Sequence, residues 1–340
     1  MMSKVKGQKS KVKSTNQNLK FLLFTCNFYF LLFTFYFTAG CQSRQLYKDS
    51  RVMMGTFVEV ISPDRQAAKI AFSEIERIED LLSKYGPDSE VAKLNRLGKL
   101  KVSPETFYII KKAREFWRAS NGAFDITVAP LVDLWGFTDK KYRLPGEKEI
   151  KKTLALVGSE KIILTDNNNV VKFRFSGMKI DLGALAKGYA LDRAVAKLKE
   201  AGIKSALLCA GGQIHCLGDN LGRPWKVAIR QPNKKGFVGY LELKDKAVAT
   251  SGDYEQYFIK DKKHYAHIFN PKTGYPQDSG LASVTVIAPD GLTADALATA
   301  TMVLGKEKGI ELAQKFPDVE VRIVERRQGH KVTRSSVVKN

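Results

Sequence analysis

Histidine and cysteine are scarce in this 340-residue chain, at four each, and the scarcity excludes several chemistries. No set of cysteines and histidines stands at zinc-finger spacing, which argues against a structural zinc. No serine occupies a Gly-x-Ser-x-Gly elbow, and no glycine-rich loop ends in the Lys-Ser/Thr of a Walker motif. No cysteine pairs with a histidine at a catalytic spacing. Internal repeats and low-complexity linkers are also missing. The residues beyond an N-terminal leader therefore read as one large domain.

Acidic residues are absent before Asp49, while Lys4, Lys6, Lys9, Lys11, Lys13 and Lys20 make the start basic. An aromatic-rich apolar run, Phe21 to Phe37, follows and closes on Thr38-Ala39-Gly40-Cys41. Charge, apolar stretch and small residues in that order form a secretory signal. Cleavage before Cys41 would leave that cysteine N-terminal for lipidation, so 1–41 reads as a bacterial lipoprotein signal and 42–340 as the mature domain. Thr38 departs from the leucine usual there, and an uncleaved membrane anchor is the other reading. Either one places the domain outside the cytoplasm, on a membrane facing the periplasm. The inner membrane is favoured, and Gln42, which is not the retention aspartate, leaves the outer membrane open.

Six of the 21 net positive charges lie in that leader, leaving +15 on the mature chain. Lysines spread along the whole length with no recognition module do not suit nucleic acid. Anionic lipid headgroups are the better partner for such a surface, and the basic tail after Arg322 reads as a solvated or headgroup-facing end. Cys26 leaves with the signal. Cys209 and Cys216 read as two buried thiols, although a disulfide is allowed outside the cytoplasm.

Periodicity predicts a strand over Met54–Ile61 and helices over Arg65–Leu82, Pro104–Ser120, Ala184–Ala201, Thr293–Leu304 and Lys306–Phe316. A further short helix runs to Asn95. Short strands are expected at Lys161–Leu164, Val170–Phe175, Ala206–Cys209, Ile214–Gly218, Trp225–Arg230, Gly239–Leu243, Ala247–Thr250 and Ala282–Ile287. Leu134-Trp135-Gly136-Phe137 reads as an aromatic plug in a loop. Helices and neighbouring strands mix without regular β-α-β alternation, so the fold class is α+β with a mixed, largely antiparallel sheet.

Five short stretches carry chemistry-bearing groups. Asp181-Leu-Gly-Ala-Leu-Ala-Lys187 leads a carboxylate and small residues into a helix start, where free N–H groups and Lys187 suit a phosphate. Taken alone, it is equally an N-capped amphipathic helix. Asp295 and Thr299 stand at i and i+4, so their oxygens share one helix face and suit a hard cation such as Mg²⁺. A polar strip at a helix start is the bland alternative. His267, among turn formers from Tyr265 to Pro276, is a candidate proton acceptor. Thr250-Ser251-Gly252-Asp253-Tyr254 suits a ligand-lining loop, and Gly122-Ala123-Phe124-Asp125 sets an aromatic beside a carboxylate. Each of these also has an ordinary turn or core use.

Taken together and in order, these stretches resemble the ApbE family of FAD:protein FMN transferases from about Met54 to Gly305. Met54-Gly-Thr56, Tyr85, Asp88-Ser-Glu90, Asn95, Leu134-Trp-Gly-Phe137 and Gly211-Gly212 complete the set. The resemblance implies a single T-fold-like catalytic domain that takes FAD as substrate and Mg²⁺ as cofactor. It also implies release of AMP and attachment of FMN to a threonine of a target protein, typically a flavin-acceptor subunit of a membrane redox complex. By position it implies FAD contacts at Met54, Tyr85, Ala123, Phe124, Asp125, Asp181, Lys187 and Phe269. Cation ligation would fall to the Ala184 carbonyl, Asp295 and Thr299, and His267 and Lys187 would be catalytic. Asn270 stands where an aspartate is usual, and Cys209 and Gln213 flank the glycine pair where Asn and Asp or Asn are commoner. Two rivals use the same residues: an FAD pyrophosphatase with water as acceptor, and a non-catalytic flavin-binding lipoprotein.

Overall fold

The computed structural model describes residues 45–232 and 235–326 and, as backbone, the strand Val332–Lys339. The signal and Cys41 lie outside the described residues, and contacts group Leu46–Asn340 as one unit. Eight strands make the main sheet: Tyr47–Met53, Thr56–Ser62, Ala206–Ala210, Gln213–Leu217, Lys246–Gly252, Leu281–Ala288, Glu320–Arg326 and Val332–Lys339. Their order in space is their order in the chain, and every neighbour pair is antiparallel. Each excursion from the sheet therefore returns beside the strand it left, and the remaining elements are carried on those excursions.

The first hairpin turns on Met54-Gly55, with φ of 52° and 70°. Two positive φ values match the right-handed twist of the flanking strands, which is why two-residue hairpin turns favour glycine at the second position. Three helices, Ala67–Leu82, Ala186–Glu200 and Gly291–Leu304, join the sheet in the main core. Ala67–Leu82 buries Ala68, Ala71, Phe72, Ile75, Ile78 and Leu82, a one-sided stripe at helical spacing. Gly291–Leu304 is buried nearly all round, as are all eight residues of Leu281–Ala288. Helix and strand together are the middle of the molecule, and Asp295 is inside it.

A second cluster, with Cys216, Trp225, Val227, Leu241 and Ile287, forms where the hairpin of Trp225–Arg230 and Phe237–Leu243 packs on the sheet. A third surrounds Trp135, whose ring meets Tyr265, Phe269 and Tyr275 and whose indole N–H donates to the Gly274 carbonyl at 3.1 Å. The expected aromatic plug is therefore present, and it pins the loop that carries His267.

The fold is α+β with a largely antiparallel sheet and eight α-helices among the described residues. Several elements differ from the expectations. Met54 is a turn residue and not the first of a strand, and Tyr47–Met53 precedes it as an unexpected partner. The hairpin of Tyr257–Lys260 and Lys263–Ala266 is a further difference, made of two strands of only four residues each. The tail after Arg322 completes the sheet as two antiparallel strands, because backbone pairing outweighs its polar composition. Cys209 and Cys216 are free thiols, and burial raises Cys209 to about 11 and Cys216 to about 12.

Candidate active site

The site begins with a crossing of two helices. A Cβ placed on Gly188 would lie 2.1 Å from the Gly291 carbonyl oxygen, and one on Gly291 would lie 2.5 Å from that of Gly188. Only glycine at both positions permits this approach. Gly188 is in the first turn of Ala186–Glu200, where backbone N–H groups have no partner within the helix. Asp295 of the other helix fills that need, accepting from Gly188 N–H through Oδ2 at 3.2 Å. Asp192 returns the favour: its Oδ1 accepts from Gly291 N–H at 2.6 Å and its Oδ2 from Leu292 N–H at 2.9 Å. Each helix thus caps the start of the other.

One strand grips both carboxylates. Gln213 donates Nε2–H to Asp295 Oδ1 at 3.0 Å, and His215 Nδ1 lies 2.8 Å from Asp192 Oδ1. Asp295 is 2 % exposed, and burial pushes its carboxyl up, against the pull of Lys187 and the two donors. A buried carboxylate held in this way is short of positive charge.

Asp181 reaches the same place from the loop before Ala186. Asn95 pairs with both backbone groups of Ile180, at 2.9 and 2.8 Å, and Asp181 N–H donates to the Ile126 carbonyl at 2.7 Å. Asp181 Oδ1 accepts from Gly183 N–H at 2.8 Å, while Oδ2 pairs with Lys84 at 2.8 Å. Lys84 also stands 5.0 Å from the ring centre of Tyr85, which is 66 % exposed. Burial works against the charge on Lys84, but Asp181 overcomes it and raises the ammonium above its usual range. Sequence reasoning missed Lys84, because a lysine before a tyrosine carries no local signal of a carboxylate almost a hundred residues away.

Lys187 lies at the centre of the charge pattern. Its Nζ donates to the Gly183 carbonyl at 3.3 Å, and its charge acts on Asp295, Glu255 and His267. Burial raises Glu255, with Asp295 adding to the rise. His267 is half-buried, and desolvation leads, with Lys187, in pushing its imidazole down to about 4. Its Nδ1 lies 3.2 Å from the Gln256 carbonyl, an acceptor only, so Nδ1 carries the hydrogen and Nε2 keeps a free lone pair. Thr299 approaches Ser251 with their hydroxyl oxygens 3.3 Å apart, which joins the Thr250–Tyr254 stretch to the Asp295 helix.

The remaining expected contacts are differently placed. Met54 is half-buried, with its N–H donating to Glu79 Oε2 at 2.7 Å. Phe124 is 1 % exposed and packs edge-on against Phe116, so its ring has no free face. Ala123 is buried as well. Asp125 is buried and accepts from Thr127 N–H and hydroxyl and from Ser159 N–H and hydroxyl, at 2.6 to 3.1 Å. It borders a cleft of about 500 Å³ shared with Trp117, Arg118, Gly122, Pro271 and Lys272. Phe269 is buried against Trp135 and Phe137. The structure therefore brings Asp181, Lys187, His267 and Asp295 together, with Thr299 and Tyr85 attached. Phe124 and Phe269 serve as packing beside that group.

The arrangement suits a divalent cation that is shared with a substrate. Among the described residues no cluster of three or more His, Cys, Asp or Glu could hold a metal by itself. Asp295 supplies one deficient carboxylate, Thr299 a hydroxyl, and Ala184 precedes Gly188 by one turn. Magnesium accepts such a sparse oxygen set because it takes phosphate oxygens and waters as its other ligands.

A buried carboxylate, Lys187 and an imidazole thus influence one another on an antiparallel α+β scaffold. A model of the ApbE family matches residues 54–323, and the chain belongs to that family. An FAD:protein FMN transferase of Klebsiella pneumoniae is 33 % identical over 82 % of this chain and 89 % of its own. One from Vibrio cholerae is also 33 % identical, over 88 % and 94 %. Among solved structures, the ApbE protein of Thermotoga maritima is similar with a TM-score of 0.78 and 36 % identity, covering 85 % of this chain and 97 % of that one. The flavinyl transferase ApbE of Pseudomonas stutzeri, in its apo form, has a TM-score of 0.76 and 31 % identity over 86 % and 94 %.

Proposed function

We infer that this chain is an FAD:protein FMN transferase, dependent on Mg²⁺, that moves FMN from FAD to a threonine hydroxyl and releases AMP. The observation that carries the reading is the bond from Gly188 N–H to Asp295, which joins the phosphate-suited helix start to the deficient carboxylate across 107 residues.

Lys187 would hold a diphosphate beside the start of Ala186–Glu200, where the helix dipole favours anions. His267 Nε2 takes the proton of the acceptor hydroxyl, a role open to it because the imidazole stays neutral well below pH 7. The threonine oxygen then bonds to the phosphorus of the FMN half. The bridging P–O bond breaks, and its electron pair leaves with AMP. Ala184, Asp295 and Thr299 would hold the cation, which would neutralise charge on the phosphate oxygens and on the leaving group. Tyr85 offers an exposed ring face for a planar ring of the dinucleotide. Met54, Asp125 and Asp181 would line the rest of its course, with Ala123 and Phe124 contributing backbone.

The acceptor would be a subunit of a membrane redox complex, and Cys41 would carry the lipid that keeps the enzyme at the periplasmic face. Both rest on the N-terminal sequence pattern and on the resemblance. Incubation with FAD, Mg²⁺ and a threonine-motif acceptor tests the activity. A mass gain of FMN size on the acceptor together with free AMP supports transfer. AMP without labelling would replace the reading with hydrolysis, and neither product would reduce it to flavin binding. For the anchor, mass spectrometry of the chain extracted from membranes should find an N-terminal Cys41 carrying lipid, and an intact leader would overturn the assignment.

A further inference from the structure

Gln213 lies between Ala210 and Ala249, its partners on the two neighbouring strands and members of the apolar core, with its side chain turned to the Asp295 helix. It is 5 % exposed. A glutamine in that setting needs partners for both ends of its amide, because burying an unpaired polar group costs about 1–3 kcal/mol. One end is settled. An ionised carboxylate only accepts, so the NH₂ group must face Asp295 Oδ1, at 3.0 Å. The other end has no partner: Oε1 is buried, and no donor reaches it among the described residues. Its sheet neighbours His215 and Thr250 are both engaged elsewhere, His215 with Asp192 and Thr250 with Thr285.

A bare acceptor oxygen held beside a buried, charge-deficient carboxylate is what a hard cation requires. We propose that the side-chain oxygen of Gln213 belongs to the oxygen shell of the cation held at Asp295. The inference rests on the Mg²⁺-dependent reading above and adds a residue that the resemblance does not supply. One amide then performs two tasks. Its NH₂ fixes the rotation of the Asp295 carboxylate, and its carbonyl oxygen faces the ion. This accounts for a full amide here, since a donor alone would serve Asp295 and leave no oxygen for the ion. A glycine pair precedes it for a related reason: a Cβ on Gly212 would lie 2.8 Å from the Thr250 carbonyl oxygen, so the backbone closes tightly behind the amide.

The test is Mn²⁺ binding to the full-length chain with ADP present, read by electron paramagnetic resonance, for wild type, Gln213→Met, Gln213→Glu and Asp295→Ala. Thermal unfolding of each variant verifies that it is folded. Gln213→Met keeps the shape without either polar atom and should weaken Mn²⁺ by about tenfold, in the range typical of lost support at metal sites. Gln213→Glu should bind at least as tightly as wild type, because a second carboxylate then faces the ion. Wild-type affinity in Gln213→Met, with binding lost in Asp295→Ala, would overturn the assignment of Gln213 and leave the cation at Asp295. Weaker binding in Gln213→Glu than in Gln213→Met would also overturn it, reducing Gln213 to a support for Asp295. Unchanged binding in Asp295→Ala, or none in wild type, would instead remove the cation reading itself.

Discussion

Asp192 and Asp295 stand on two helices that touch through Gly188 and Gly291, and each accepts hydrogen bonds from the first turn of the other's helix. The relationship turns two ordinary helix starts into one rigid unit. It also holds the Asp295 carboxylate against the first turn of Ala186–Glu200.

The clamp should be measurable from the side that lies away from the chemistry. Asp192→Ala strips the partners from two amides, and the fold should lose about 1–3 kcal/mol in urea unfolding. If the clamp also sets the site, the Mg²⁺ concentration for half-maximal rate should rise in the same variant. A stability loss with unchanged Mg²⁺ dependence would make Asp192 purely structural.

Gly188→Ala attacks the crossing itself. The added methyl meets a carbonyl oxygen at 2.1 Å, so the helices must part, at about 1–3 kcal/mol for overpacking of this kind. The melting temperature should fall, and turnover should fall further than stability alone explains. Normal turnover in the folded variant would show that the crossing distance is not critical.

Asp295→Ala should reduce AMP release to background while leaving the chain folded, since alanine suits the apolar faces of that helix. A chelator should do the same to the wild type, with activity restored by added Mg²⁺. Turnover that survives either treatment contradicts the assignment of the cation to Asp295.

His267 makes a prediction about pH. Its folded value is lowered from 6.5 to about 4, so between those values the unfolded chain binds a proton that the folded chain does not. Stability attributable to His267 is therefore complete above about 6.5 and declines as pH falls toward 4. His267→Gln should flatten that part of the stability curve relative to the wild type, and it should abolish transfer to threonine. A parallel curve in the variant would mean that the imidazole titrates normally.

Tyr85 is exposed, so its removal should not disturb folding. Tyr85→Ala should weaken FAD binding by about 1–3 kcal/mol if its ring stacks on a base or flavin, and Tyr85→Phe should retain affinity. Flavin fluorescence gives both constants, and equal affinities for the alanine variant and the wild type would exclude stacking.

How much was legible in advance varied with the range of the interaction. Helix Pro104–Ala119 was readable because an apolar stripe, Pro104 near its start and Asn121-Gly122 past its end are all local. The hairpin after Glu255 and the last two strands were not, because they become strands only through pairing partners. The same division runs through the site. Asp181, Lys187, His267, Asp295 and Thr299 stood out as residue types in telling neighbourhoods. Lys84, Asp192, His215 and the double role of Gln213 did not, since each acts on a group more than twenty residues away. The rings of Phe124 and Phe269 pack on Phe116 and on Trp135 and Phe137, partners that only the fold supplies.

The chain alone determined the α+β class, the order of the chemistry-bearing stretches and the residue types available for phosphoryl transfer. These follow from periodicity, turn composition and side-chain chemistry, which operate over a few residues. Tertiary structure decided which of those residues meet, how far each is removed from water and which of them are spent on packing. Burial and approach depend on atoms supplied from distant segments, and two glycines with no side chain at all settle where Asp295 and Lys187 come together.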